Sequence, residues 1–207
     1  MKHRTFEETD DWILEVAGTE AVEPRDQVLA YLDAAIGREP DEARWHQLVG
    51  YASFHLWHRP RDRRRAARGI VASSRALVLE PDMEFARLYR GYLAFDAGEH
   101  LSALADCRTL DRDYFSERDL AWRLITADEI EFACMVGLGA ESSELAEVAR
   151  RLVALMESDL DGTFPVRPQH FLDSVADLEA RGVDVWLGDR TLSDSLGMLA
   201  DRGGWRE

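Results

Sequence analysis

The chain has 207 residues, 46% hydrophobic and 31% charged, and 25 basic against 40 acidic residues give a net charge of −15. That is the composition of a globular domain, and no apolar run approaches the roughly 20 residues that a membrane span needs. So negative a surface repels nucleic acid and anionic lipid, and it favours a basic partner where a charged one is met.

The start, Met1-Lys2-His3-Arg4, runs into acids rather than into the apolar core of a leader, which points to the cytoplasm. Residues 1–24 are acidic and weakly patterned, with Trp12, Ile13 and Val16 seating a short helix that ends near Gly18. Pro24 opens a second helix on Val28, Leu29, Leu32, Ala35 and Ile36, stopped by Gly37 and Pro40. Residues 42–58 read as a helix on Trp45, Leu48, Val49, Ala52 and Leu56. Its partner covers 62–79, with Asp62 as N-cap and Ala67, Ile70, Val71, Ser74, Leu77 and Val78 on one face. Helices follow at 83–97 and 100–111, joined by a turn at Gly98-Glu99, and then at 117–137 and 142–158, joined at Gly137-Leu138-Gly139. Asp161-Gly162-Thr163-Phe164-Pro165 is a break. Residues 168–181 form a further helix, Val183-Asp184-Val185-Trp186 alternates like a short extended piece, and 191–201 make a last helix.

Two stretches repeat. Glu39-Pro40-Asp41 is followed by Gly50-Tyr51 and Phe54, and Glu80-Pro81-Asp82 is followed by Gly91-Tyr92 and Phe95, each landmark recurring 41 residues on. A repeat of this length marks a stacked helical array, in which each unit buries its apolar face on the next. The fold class expected is therefore all-α, with antiparallel helix-hairpin repeats and a C-terminal cap. The division expected is an acidic segment over 1–24, a repeat domain over 25–160, and a helical cap over 161–207 packed on the array.

These repeats resemble the tetratricopeptide repeat, a helical hairpin of about 34 residues. Gly50 and Gly91 match its first-helix glycine, Gly98 its turn glycine, Ala76 and Ala103 its second-helix alanines, and Pro40 and Pro81 its closing proline. The chain departs from the motif at His46 and Arg87, where the family has Trp, and at Ser53, Ala94, Ser73 and Cys107, where it has aromatics. Its longer repeat places the extra residues around Arg59–Arg65. The resemblance covers 28–111 well and 112–158 weakly.

In that family the inner groove is lined by the first helix of each pair. The resemblance thus implies a partner-binding groove of Arg44, Gln47, Tyr51, Phe54 and His55, continued by Phe85, Leu88, Tyr92, Phe95 and Asp96. Tyr51 and Tyr92 hold the places where carboxylate-clamping members use Asn, and the groove residues include no Lys, so an apolar helix or extended segment is the ligand implied. Set against this, aromatic stripes at helical spacing also serve simply as core between repeats.

The sharpest charge feature is the run of six arginines against Asp62 over 59–68. Arg61, Arg64, Arg65 and Arg68 share one helix face near an N-terminus, where cations oppose the helix dipole. They offer a contact for an anion or an acidic partner, unless the chain's own acids answer them. His55 and His58 lie one turn apart, but two ligands do not make a metal site, and none is expected. Asp128, Glu129 and Glu131 read as a solvated helix face. Cys107 and Cys134 lack CxxC spacing and read as buried, reduced thiols. No GxSxG, P-loop or GxGxxG motif is present, so neither catalysis nor a cofactor is expected.

The function implied is a non-catalytic protein–protein interaction module that takes a peptide or partner protein in the groove. A second reading is a small acidic antagonist, of the immunity-protein kind, that neutralises a basic effector by charge complementarity. A third is an enzyme with a site formed by array and tail.

Overall fold

In the computed structural model the described residues are 4–19, 22–56, 63–158 and 168–203. Among them the protein is all-α, with eleven helices and a single isolated β-bridge between Trp186 and Thr191. Trp186 belongs to the stretch expected to be extended, whereas Thr191 was expected to begin the last helix, which starts one residue later. No helix among the described residues is long and apolar enough to cross a membrane. The chain divides into two compact units between Asp106 and Cys107. The boundaries expected at 24 and 160 do not include that division.

The first unit begins with α1 (Phe6–Ala17), opened by a reciprocal cap in which Thr5 and Glu8 each accept the other's backbone N–H. α2 (Val22–Arg38) starts two residues before Pro24. A proline is tolerated in a first turn, because an N–H there has no intrahelical acceptor to lose. α1 and α2 pack on α3 (Ala43–His55). Their seam is aromatic, with Phe6 and Trp45 centroids 4.3 Å apart and Tyr31 edge-on to both Trp12 and Trp45. The Tyr31 hydroxyl donates to the Arg4 carbonyl (3.0 Å) and accepts the Arg4 N–H (2.8 Å), which ties the chain start to α2.

α4 (Arg63–Leu79) lies against α3 and against α5 (Glu84–Asp96), and α3 also touches α5. Two glycines allow this close approach. A Cβ on Gly50 would overlap the Ser73 hydroxyl, and one on Gly69 would overlap Leu93 and Ser53. Asp62, expected to cap α4, lies outside the described residues. α5 turns into α6 (His100–Arg108) through Gly98, whose φ of +81° is one that a side chain rarely adopts. Across that hairpin, Arg90 makes a bidentate pair with Asp106 (2.8 and 2.6 Å).

In the second unit the helix expected over 117–137 begins later, at Trp122, and a short helix that was not expected precedes it. A short α7 (Arg112–Ser116), capped by Asp111, is followed by a turn in which Asp119 takes a φ of +56° and Leu120 N–H reaches back to the Phe115 carbonyl. Only then does α8 (Trp122–Gly137) begin. α8 packs on α7, on α9 (Ser142–Ser158) and on α10 (Gln169–Ala180), while α11 (Leu192–Gly203) packs on α9. The C-terminal helices thus seat on the α8/α9 pair. Their core includes Phe132 and Phe171, fully buried with ring centroids 4.7 Å apart.

Candidate functional site

Of the sequence-predicted groove residues, Tyr51, Phe54, His55, Phe85 and Tyr92 join with Tyr89 in one continuous ring system. Tyr51 meets Tyr89 at 5.0 Å, Phe54 meets Tyr92 at 5.0 Å and Tyr89 at 5.5 Å, and His55 packs edge-on to Tyr51 (4.4 Å) and Phe54 (4.8 Å). Tyr89 is the hub. It touches Tyr51, Phe54, His55, Phe85 and Tyr92, and it is only 1% exposed. The sequence reading missed it, although it lies one turn beyond Phe85 on the same face.

Burial divides the set. Tyr51, Leu88 and Tyr92 are buried and cement α3 to α5. Gln47, Phe54, His55, Phe85, Phe95 and Asp96 are half-buried and keep accessible surface. Arg44 is exposed and turns away towards α1, its guanidinium 4.4 Å above the Phe6 ring and 3.2 Å from Glu7. It is thereby drawn out of the ring system.

The arginine face of α4 is answered by the unit's own acids. Arg65 is buried and pairs with Asp96 at 3.1 Å, and Arg68 pairs with Asp33 at 2.7 Å. Arg64 is exposed, and Arg61 lies outside the described residues. Arg65–Asp96 brings together one residue expected to contact anions and one expected to line the groove.

In the second unit, Asp128, Glu129 and Glu131 overturn their reading as a solvated face, for they are 0%, 4% and 4% exposed. α8 is buried without interruption from Ala127 to Val136, so the acids on it are almost wholly withdrawn from water. Arg112 forms a fork on Asp128 (2.9 and 2.8 Å). Arg151 bridges Asp128 (3.2 Å) and Glu131 (2.6 Å), and Arg108 reaches Glu131 at 3.0 Å. Buried carboxylates persist only when paired and hydrogen-bonded, and these two are. All three guanidiniums keep a third or more of their surface in water, so the pairs sit at the edge of the core.

Glu129 differs. It accepts the His170 N–H at 2.6 Å, at the start of α10, and the Phe171 N–H also bonds to it. Burial pushes its carboxyl up to about 7, against those two backbone N–H groups and with help from nearby Asp173. Burial likewise pushes the Cys134 thiol up to about 12. Among the described residues, no group of three or more His, Cys, Asp or Glu side chains is placed to hold a metal ion; His58 lies outside them.

No protein-family model matches the chain, and no curated protein or solved structure matches it. The class that stands is an all-α protein with an aromatic, largely uncharged surface on α3 and α5.

Proposed function

We propose that this protein is a non-catalytic interaction module of tetratricopeptide-like helical hairpins, which takes an apolar helical or extended segment of a partner protein on the ring surface of α3 and α5. The observation that carries the reading is the partial exposure of Phe54, His55 and Phe85 beside a buried Tyr89. Rings held by a rigid hub lose little freedom when a ligand covers them, and aromatic residues dominate binding hot spots. The tetratricopeptide-like arrangement is supported by α5 lying against both helices of the preceding hairpin, and by Gly50 at the tight α3/α4 crossing. The surface has one charged member besides Arg44, and that member, Asp96, is paired with Arg65. Binding should therefore depend on apolar contact, with little dependence on salt.

The test is selection of random peptides on the immobilised protein at low and at high salt, followed by affinity measurement against the Phe54→Ala and Phe85→Ala variants. The reading expects apolar peptides that survive high salt and lose about tenfold or more in affinity on each variant. Basic peptides lost at high salt and indifferent to both variants would sink it and turn attention to the acidic-antagonist reading, which rests on the charge of −15.

A further inference from the structure

Three acids are buried on α8, and two of them are neutralised by arginine. Glu129 is not. Its side chain accepts hydrogen bonds from the N-terminal backbone of α10, 41 residues along the chain, and no cation pairs with it among the described residues. The reason it sits there lies in α10 itself. The residue at the helix's N-cap is Pro168, which has no side-chain acceptor and so makes no side-chain cap of its own. The first N–H groups of a helix need an acceptor. Glu129 supplies it from another helix, so the contact that caps α10 is also a contact that docks it on α8.

The charged surroundings make that contact sensitive to a proton. From α10, the neighbours of Glu129 are His170, whose backbone N–H is the donor, and Asp173, a like charge. From α7, Arg112 is spent on Asp128. From α9, Arg151 is spent on Asp128 and Glu131, with Glu147 beside it. On α8 itself the flanking acids are Asp128 and Glu131, whose carboxylates pair with Arg112 and Arg151, and with Arg108 and Arg151. An ionised Glu129 is thus a buried charge held by two amides and repelled by an acid, whereas a protonated Glu129 keeps its carbonyl oxygen as an acceptor with no charge to desolvate.

We propose that the seating of α10 on α8 is controlled by one proton: it is tightest while Glu129 is protonated and loosens as the carboxyl ionises. The sign follows from linkage. The docked state binds the proton more firmly than the undocked one, so the stabilisation is complete below the ordinary value of 4.5 and is lost as pH rises through about 7. For a single site moved between those values, docking weakens about tenfold from pH 6 to pH 8.

The experiment is hydrogen exchange on the full chain between pH 5.5 and 8.5, reading protection factors of the α10 amides corrected for intrinsic exchange, with α3 as internal reference. The expected result is a fall of about tenfold in α10 protection from pH 6 to pH 8, without a parallel fall in α3. Glu129→Gln keeps an acceptor oxygen and removes the titration, so its α10 profile should be flat. His170→Asn keeps the backbone donor and should retain the fall. A flat wild-type profile, an equal fall in α3, an undiminished slope in Glu129→Gln, or loss of the fall in His170→Asn would each overturn the proposal. Should Glu129→Gln not fold, the wild-type and His170→Asn profiles decide the matter by themselves.

Discussion

Ser73 on α4 fills the notch left by Gly50 on α3, and the relation is reciprocated, for Ser53 on α3 stands over Gly69 on α4. Both hydroxyls are buried without a hydrogen-bond partner among the described residues. The two helices therefore approach through small residues on each side. Gly50→Ala should destabilise the protein by about 1–3 kcal/mol, because overpacking outweighs the roughly 1 kcal/mol gain in helix propensity. Ser73→Ala alone should be near neutral. The double variant should recover most of the loss, since the Ser73 Cβ would be 3.5 Å from the new methyl, an ordinary contact. Urea denaturation of the four proteins reads the coupling, and strictly additive effects would refute this account.

The ring system separates stability from binding. Tyr89→Ala removes a hub that is 1% exposed and should cost about 3–5 kcal/mol. Phe54→Ala, at a half-buried position, should cost roughly half as much while removing peptide capture. Thermal melts paired with the binding assay test the split. Equal stability losses at the two positions would mean that Phe54 is core.

Arg112 and Asp128 should respond unequally. Arg112→Ala leaves a carboxylate with no exposure dependent on Arg151 alone, at 3.2 Å, and should cost about 3 kcal/mol, the low end for breaking a buried pair. Asp128→Asn leaves guanidiniums that already reach water and should cost less. Chemical denaturation ranks the two, and the reverse order would place the burden of desolvation on the arginine.

Cys107 and Cys134 are buried at 4% and 0% exposure, and the Cys134 thiol is pushed up to about 12 by burial. The thiolate is the reactive form, so at pH 8 neither cysteine should be alkylated in the native protein, and both should be after denaturation. Mass spectrometry counts the adducts. Rapid native labelling of Cys134 would show that α8 opens readily.

Helix periodicity and turn residues were legible in the chain because they are local. Gly98 and Gly139 take the positive φ values, +81° and +75°, that end α5 and follow α8. The acids of α8 were misread because charge usually signals solvent. A contrary signal was present, since Leu124, Ile125, Ala127, Ile130, Phe132, Ala133 and Cys134 surround the helix on all sides, and a helix apolar all round is buried. The partners Arg108, Arg112 and Arg151 lie 16 to 23 residues away, on three other helices, and no spacing rule joins them to α8.

By itself the sequence determined the all-α class and most helix boundaries, which follow from side-chain period and backbone conformation within a few residues. Only the tertiary structure decided that Tyr89 sits at the centre of the rings, that Arg65 and Arg68 are answered by Asp96 and Asp33, and that Glu129 caps a helix 41 residues away. Those outcomes depend on which helix faces meet. Packing in three dimensions sets that, and it decides whether a given charge finds water, a counter-ion or a backbone amide.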